Sequence, residues 1–139
     1  MKITILDLAQ ELITIPTTAG NTKAFSKVID LTKQKLSHHN FQTFTSNQIH
    51  SQLFFNTKKL PTKFKLILNA HLDVVPGTPD QFKPKIKQGK LFGRGVYDMK
   101  AAAAVEILVF NEVANLVSYP LGLQLVTDEE QGGFNGTKY

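Results

Sequence analysis

The sequence predicts an α/β layered domain, and three features of its apolar pattern support this fold class. Residues 1–40 carry two helical stripes, and residues 64–70 form a near-continuous apolar strand. A long apolar helix at residues 101–117 then precedes a second apolar strand at residues 121–127. Alternating helices and buried strands are typical of layered domains, because each element covers the apolar face of the other.

The first two elements are predicted helices. The stripe of the first helix has helical spacing and consists of Ile5, Leu8, Ala9, Leu12 and Ile13. Pro16 ends this helix, because proline removes a helical hydrogen bond. The second helix begins at a Gly20-Asn21-Thr22 turn and cap and runs to about Asn40. Its stripe consists of Phe25, Val28, Ile29 and Leu36.

Beyond the second helix the apolar spacing changes to that of strands. Residues 41–45 and 53–56 are short strand candidates separated by polar residues. Residues 64–70 are apolar on both faces, which predicts a central, covered strand. A loop rich in proline and glycine follows, and residues 82–92 then predict a hairpin that turns at Gln88-Gly89.

The long helix at residues 101–117 is apolar on most sides, so it is expected to be buried against the sheet. The chain has no internal repeats and no low-complexity linker. Residues 1–139 are therefore predicted to form one unit, and a hydrophobic content of 42% is sufficient for a core.

The net charge of +5 does not predict a nucleic-acid partner. Its lysines are spread along the chain, and Lys83, Lys85 and Lys87 alternate with Pro84 and Ile86, as on the solvent face of a strand. No aromatic residues lie between these lysines to stack with bases.

The chain has no cysteines, which excludes disulfides and thiolate metal sites and leaves histidine and carboxylates as metal ligands. This composition fits the cytoplasm. No stretch reaches membrane-spanning length, and residues 1–10 lack the apolar core of a signal peptide. No membrane partner is expected.

His71 and Asp73 follow directly after the strand predicted at residues 64–70. Sites of α/β domains form at such strand ends, and residues two apart in an extended chain share a face. His71 is therefore a candidate metal ligand, and Asp73 is a candidate partner that orients its imidazole. The alternative is a solvated loop pair, which is the commoner role of an isolated pair of this kind.

Asp98 precedes the long helix and has two possible roles. It is well placed to cap the helix N-terminus. However, Gly93 and Gly95 indicate a tight backbone path before it, as needed to deliver a carboxylate into a crowded cleft. Both roles are compatible.

Three acids, Asp128, Glu129 and Glu130, follow the strand at residues 121–127 and precede a glycine-rich segment. Such a run is usually a solvated loop, but like charges at the exit of a buried strand need a compensating cation or donors. One glutamate could bind a metal while its neighbour acts as general base on a metal-bound water. His38, His39 and His50 lie far from these strand ends in sequence and are expected at the surface.

Together these motifs resemble the co-catalytic zinc metallopeptidase and deacylase family that includes succinyl-diaminopimelate desuccinylase, acetylornithine deacetylase, aminoacylase and carboxypeptidase G. The resemblance rests on Ala-His-Leu-Asp-Val-Val-Pro at residues 70–76, Gly-Arg-Gly-Val-Tyr-Asp-Met-Lys at residues 93–100 and Thr-Asp-Glu-Glu at residues 127–130. Their order and separations are specific. Ala101 and Ala102 stand where the family often has glycines.

The resemblance implies a three-layer α/β/α zinc-hydrolase catalytic domain that cleaves an amide bond in N-acyl amino acids or small peptides. It implies two Zn²⁺ ions per complete site, with Co²⁺ as a substitute. His71 would bind one ion, Asp98 both ions and Glu130 the other, while Asp73 would orient His71. Glu129 would take a proton from the attacking water and pass it to the leaving amine.

The resemblance also implies components that the chain lacks. Family members supply a further carboxylate and a histidine later in the chain, and they carry a separate lid and dimerisation domain that makes full-length relatives homodimers. Residues 1–139 are therefore expected to be the N-terminal portion of the catalytic domain, with an incomplete site and with apolar surface exposed on the 101–117 helix and the 121–127 strand. The alternative function is a non-catalytic fragment that needs a C-terminal partner.

Overall fold

The fold begins with two helices that start at caps encoded in the sequence. The structure is a computed structural model that describes residues 3–138. The first helix, α1 (Ile5–Ile13), starts from Thr4, whose side chain accepts a hydrogen bond from the backbone of Asp7. The second, α2 (Thr22–Lys35), starts from Asn21, as predicted.

The described residues contain two sheets and a third helix. The remaining elements are β1 (Asn40–Ser46), β2 (Ile49–Phe55), β3 (Leu66–His71), β4 (Lys85–Lys87), β5 (Lys90–Phe92), α3 (Ala101–Val113) and β6 (Leu121–Val126). The larger sheet has the order β1-β2-β6-β3, and β4 pairs with β5 in a separate hairpin. The predicted turn at Gln88-Gly89 connects β4 and β5, and both residues have positive φ.

The register of the larger sheet brings two loops together. β3 runs parallel to β6, and Ala70 pairs with Leu125 while His71 pairs with Val126. The two strands therefore have their C-terminal ends on the same side of the sheet, and the loops that follow them are neighbours. This is the arrangement in which α/β proteins form their sites.

The hydrophobic core joins all three helices to one face of this sheet. Leu121, Leu123 and Leu125 of β6 are buried in it together with Leu8 of α1 and Phe110 of α3. The α/β class is therefore confirmed, and the described residues contribute the sheet and one helical layer to the predicted architecture.

Two predicted strands differ from the structure. The run at residues 64–70 was expected to be central, but β3 lies at the edge of the sheet within residues 3–138, and Leu66 and Ile67 are 48% and 42% exposed. In contrast, β6 is central and mostly buried, so the apolar exposure expected there is wrong. Pattern alone shows that a strand is apolar on both faces, but its neighbours depend on pairing far along the chain.

The helix boundaries also differ from the prediction. α2 ends at Lys35 rather than near Asn40, and α3 ends at Val113 rather than at residue 117. α3 packs on the sheet through one face, while Val105 and Val109 on its other face are exposed, as anticipated. Ile86 of β4 is exposed as well, so the short hairpin has no buried apolar face there. No helix within residues 3–138 is long and apolar enough to cross a membrane.

Candidate functional site

His71 is the last residue of β3 and lies on the side of the sheet where β3 and β6 have their C-terminal ends. The residue is only 5% exposed. Its Nδ1 donates to the backbone carbonyl of Asp73 at 3.1 Å, and its Nε2 lies 2.9 Å from Oδ1 of Asp98. The carbonyl fixes the orientation of the ring, so Nε2 is the nitrogen presented to the site.

Asp73 is almost fully buried, and its carboxylate is held mainly by another loop. Its two oxygens accept hydrogen bonds from the backbone N–H groups of Glu129 and Glu130, at 3.2 and 2.9 Å. The same carboxylate lies 3.5 Å from Nδ1 of His71. Asp73 therefore ties the loop after β3 to the loop after β6, a function that its sequence position alone did not reveal.

Asp98 does not cap α3. It lies three residues before the helix begins, and its backbone and that of Met99 are not helical. The peptide bond between these two residues is cis. Gly95 before it has a positive φ of 83°, which confirms the unusual backbone path expected from the glycines. The Asp98 side chain is 65% exposed and reaches His71 instead of the helix terminus.

Glu129 and Glu130 lie in a short 3₁₀ turn directly after β6. Oε2 of Glu129 is 3.8 Å from Nε2 of His71, and the Glu129 side chain is 57% exposed. The preceding Asp128 is buried and accepts hydrogen bonds from the backbone N–H groups of Asn135 and Gly136. The acidic run therefore divides into one buried residue that holds the following loop and two glutamates at the site.

His71, Asp98 and Glu130 form a group that could hold a metal ion. One ligand atom of each residue lies within 4.8 Å of the others. An imidazole nitrogen with two carboxylate oxygens is a ligand set that suits zinc and other divalent metals. A cleft of about 290 Å³ adjoins this group, with Val75, Arg94 and Tyr97 among its lining residues.

The pKa values of the group reflect its crowded charges. Burial lowers the pKa of His71, but hydrogen bonds to Asp73 and Asp98 and the charge of Asp73 raise it to about 9. Burial raises the pKa of Glu130, and repulsion by Asp98 raises it further. An added cation would relieve the repulsion among the carboxylates and compete with the proton on His71.

Two buried polar residues near the site were missed in the sequence. The side chain of Lys100 is fully buried and donates to backbone carbonyls at the end of α1, and burial lowers its pKa to about 7 while the charge of Asp73 opposes this shift. Thr17 is fully buried and donates to the carbonyl of Leu72. A lysine at the start of an apolar helix is a usable signal, but Thr17 has none in the sequence.

The other histidines lie outside the site, and only part of their prediction is correct. His38 is exposed, whereas His50 lies within β2 rather than in a loop. His39 is buried, because its ring packs against Phe110 and its Nε2 hydrogen bonds with Asn111 of α3. Its expected surface position is wrong, since α3 folds back over the end of α2.

The amino-acid sequence of the chain is similar to those of one protein family. A model of the family described as peptidase family M20/M25/M40 matches residues 67–139. The succinyl-diaminopimelate desuccinylase of Blochmanniella pennsylvanica is 30% identical in an alignment of 142 positions, gaps included, that covers 96% of this chain and 37% of that protein. A probable carboxypeptidase of Emericella nidulans is 29% identical in an alignment of 136 positions that covers 92% of this chain and 31% of that protein.

Solved structures show the same fold. Human carnosine dipeptidase 1 superposes with a TM-score of 0.75 at 18% identity, over 93% of this chain and 32% of that one. An M20 family metallo-carboxypeptidase from Sulfolobus solfataricus superposes with a TM-score of 0.73 at 16% identity, over 96% of this chain and 33% of that one. The chain thus spans about a third of the length of the proteins it matches.

Proposed function

Because the chain belongs to the peptidase family M20/M25/M40, we propose that it provides part of the active site of a zinc-dependent hydrolase that cleaves amide bonds. The observation that carries this proposal is the convergence of His71, Asp98 and Glu130, whose ligand atoms all lie within 4.8 Å of one another. Residues 1–139 are, in this proposal, the N-terminal portion of the catalytic domain.

The proposed ligands divide between two Zn²⁺ ions. His71 would hold one ion and Glu130 the other, and Asp98 would serve both, since its side chain is 65% exposed and already reaches His71. Asp73 orients His71 through its backbone carbonyl and holds the Glu129-Glu130 turn through its carboxylate. Bound zinc would polarise the substrate carbonyl and make water more acidic.

Glu129 is the proposed general base. Its carboxylate is exposed and lies 3.8 Å from Nε2 of His71, so it faces the same space as the ligands. Its backbone is fixed by Asp73, which leaves the side chain free to receive a proton from the attacking water and pass it to the leaving amine. Glu129 is the better candidate for this role than Glu130, which belongs to the ligand group.

The proposed substrates are N-acyl amino acids or small peptides. The names of the similar proteins include a desuccinylase, a carboxypeptidase and a dipeptidase, and each of these activities hydrolyses an amide bond next to an amino acid. The cleft beside the ligand group contains Arg94, a cation that suits the anionic end of such a substrate.

Zinc titration of the purified chain tests this function. Calorimetry should detect Zn²⁺ binding by the wild type, and His71→Ala should weaken it by at least about tenfold, since a ligand is lost. His38→Ala is the matched control, because His38 is exposed and is not part of the ligand group. Equal zinc affinity in wild type and His71→Ala would contradict the proposed ligand role.

A hydrolysis assay tests the reaction itself. With zinc bound, the chain is expected to hydrolyse N-succinyl or N-acetyl amino acids slowly, and Glu129→Gln should abolish this activity while it preserves zinc binding. Robust turnover by Glu129→Gln would contradict the proposed base. Loss of zinc binding in this variant would instead make Glu129 a ligand.

A second candidate function is a non-catalytic unit that binds another polypeptide. It is favoured by the exposure of Leu66 and Ile67 on β3, whose outer edge is unpaired within residues 3–138. Such an edge can pair with a further strand. Leu66→Lys should abolish a stable complex found on size-exclusion chromatography, and a monodisperse wild-type monomer with zinc-dependent activity would argue against this function.

A further inference from the structure

A short connection after α1 contacts two of the three segments that carry the candidate ligands, namely the loop after β3 with His71 and the segment before α3 with Asp98. This connection, residues 15–17, is called the brace below. It follows the C-terminus of α1 and contains Pro16, so its backbone is restricted. Ile15 and Thr17, the residues on either side of Pro16, are both buried.

The first contact of the brace is with Lys100, two residues after Asp98. The Lys100 ammonium is fully buried and donates to the carbonyls of Leu12 and Ile15 at 2.9 and 2.6 Å. The Leu12 carbonyl lies in the last turn of α1, where the helix dipole favours a cation, and the Ile15 carbonyl belongs to the brace. Burying an ammonium group is costly unless its donors are satisfied, so the position of Lys100 is tightly fixed.

The second contact is with the loop that carries His71 and Asp73. The Thr17 hydroxyl donates to the carbonyl of Leu72 at 2.5 Å, and the backbone N–H of Val74 donates to the carbonyl of Thr17 at 3.0 Å. Thr17 therefore holds the residues on both sides of Asp73, and it does so through one side-chain and one backbone hydrogen bond.

The two loops also meet each other beside the brace. Gly95, in the segment that carries Asp98, lies against Val74 of the other loop, since a Cβ there would be 2.7 Å from Val74 Cγ1, and it also packs on Lys100 Cδ at 3.1 Å. The backbone N–H of Lys100 donates to the carbonyl of Gly95 at 2.7 Å. The two loops are thus held together by contacts away from the ligand atoms, in addition to the 2.9 Å contact between His71 and Asp98.

We propose that the brace, through Thr17 and Lys100, sets the distance between His71 and Asp98. Thr17 and Lys100 are thus positioning residues for the metal. This inference rests on the proposed function. Neither residue contacts the candidate ligands' binding atoms, so their effect is indirect. A metal site needs its ligands held within about 0.5 Å of the productive geometry, which the brace supplies before any ion binds.

Thr17→Val, compared with Thr32→Val, separates positioning from general stability. Both threonines are fully buried, and the Thr32 hydroxyl lies within hydrogen-bond distance of the Ile29 carbonyl and Oε1 of Gln52, donating to one of them at a time, away from the site. Each substitution removes one hydroxyl without changing the shape of the side chain. Urea unfolding should show similar losses of stability for the two variants.

Co²⁺ binding, followed by its visible absorption, then provides the deciding measurement. Thr17→Val should weaken Co²⁺ binding by about tenfold or more and shift the absorption bands, as expected for a residue that orients ligands. Thr32→Val should leave both unchanged, and Lys100→Met should resemble Thr17→Val. Equal Co²⁺ affinity and spectra in the two threonine variants would overturn the proposal, even if Lys100→Met failed to fold.

A metal-free measurement separates this proposal from the proposed function. If the wild type bound no Co²⁺, the proposed metal function would fail. The ring signals of His71 in ¹H–¹⁵N spectra would then test the brace alone, with His71→Gln used for assignment. Thr17→Val should shift these signals and Thr32→Val should not, whereas unshifted signals in Thr17→Val would overturn the brace.

Discussion

The candidate site has a buried half and an exposed half, and they differ in how their polar groups are satisfied. His71, Asp73 and Lys100 are 5%, 1% and 0% exposed, and each makes hydrogen bonds to backbone groups. The side chains of Asp98 and Glu129 are 65% and 57% exposed and point toward His71. The protein therefore holds the inner half in place by its own hydrogen bonds and leaves the side chains of the outer half available to bind a metal or a substrate.

The physical reason is the cost of burying polar groups. A buried carboxylate or ammonium must find partners within the protein, and those partners hold it in one place. An exposed carboxylate is solvated, so it can exchange water for a metal or a substrate at little cost to the fold. The comparison predicts that substitutions in the inner half lower stability, with His71 and Lys100 affecting metal binding as well, whereas those in the outer half affect mainly binding.

The largest effect is expected from Asp73→Ala. The substitution leaves the backbone N–H groups of Glu129 and Glu130 without their acceptors, and each lost acceptor costs about 1–3 kcal/mol. The free energy of unfolding should fall by about 2–6 kcal/mol in urea denaturation. Asp73→Asn, which keeps one oxygen, should lose less. A loss below about 0.5 kcal/mol, the range of ordinary surface substitutions, would break the comparison.

Gly95→Ala is expected to have the next largest effect. Gly95 and Gly89 have positive φ values of 83° and 71°, but only Gly95 has a neighbour that a Cβ would contact, at 2.7 Å. Gly89→Ala should therefore cost only backbone strain, about 1 kcal/mol, while Gly95→Ala adds an overpacking cost of about 1–3 kcal/mol. Thermal unfolding of the pair measures the difference, and equal melting temperatures would show that the loops have room to separate.

Asp98→Asn is expected to change binding more than stability. The carboxylate pairs with His71 but is exposed, so the free energy of unfolding without metal should fall by no more than about 1 kcal/mol. Zinc affinity should fall by about tenfold, which corresponds to about 1.4 kcal/mol. Calorimetry and urea denaturation measure the two quantities. A clear loss of stability in the absence of zinc would place Asp98 with the inner half.

The smallest effect is expected from Asp7, an exposed acid with protein partners. Hydrogen bonds from the side chain and backbone of Thr4 lower the pKa of Asp7 below its ordinary value of 3.8. Since the folded pKa lies below the unfolded pKa, the stabilisation is complete above 3.8 and is lost as the pH falls through the folded pKa. Asp7→Asn should therefore flatten the acid limb of a stability-versus-pH curve, measured by thermal unfolding.

This last variant sharpens the comparison between the two halves. Asp7 is exposed, as Asp98 is, but it completes a cap at the start of α1. If Asp7→Asn had no effect at acid pH, exposure alone would explain why outer acids do not contribute to stability. If it has the expected effect, the presence of protein partners is the deciding property.

Local patterns predicted several elements well. The apolar stripe of α1, the Asn21 cap of α2 and the Gln88-Gly89 turn depend on residues close in sequence, and all three are confirmed. The position of β3 at the sheet edge and the burial of His39 depend on residues far along the chain. Local patterns do not contain that information.

The candidate site shows the same division. Motif order and the position of residues at strand ends indicated His71, Asp73, Asp98, Glu129 and Glu130, and the parallel register of β3 and β6 explains how two of the three motifs meet. The detailed role of Asp73 was not predictable. Its hydrogen bonds cross 56 and 57 residues of chain to a turn whose position is set only by folding.

The sequence by itself determined the fold class, the local elements and the residue types available for chemistry. These follow from short-range periodicity, capping and turn preferences, which act on neighbouring residues. Only the tertiary structure decided which acids are buried and hydrogen-bonded to the backbone and which are exposed. Only the tertiary structure placed Thr17 and Lys100 in contact with the segments that carry His71 and Asp98. Burial and hydrogen-bond partnership are properties of packed contacts, and such contacts join residues that the sequence leaves far apart.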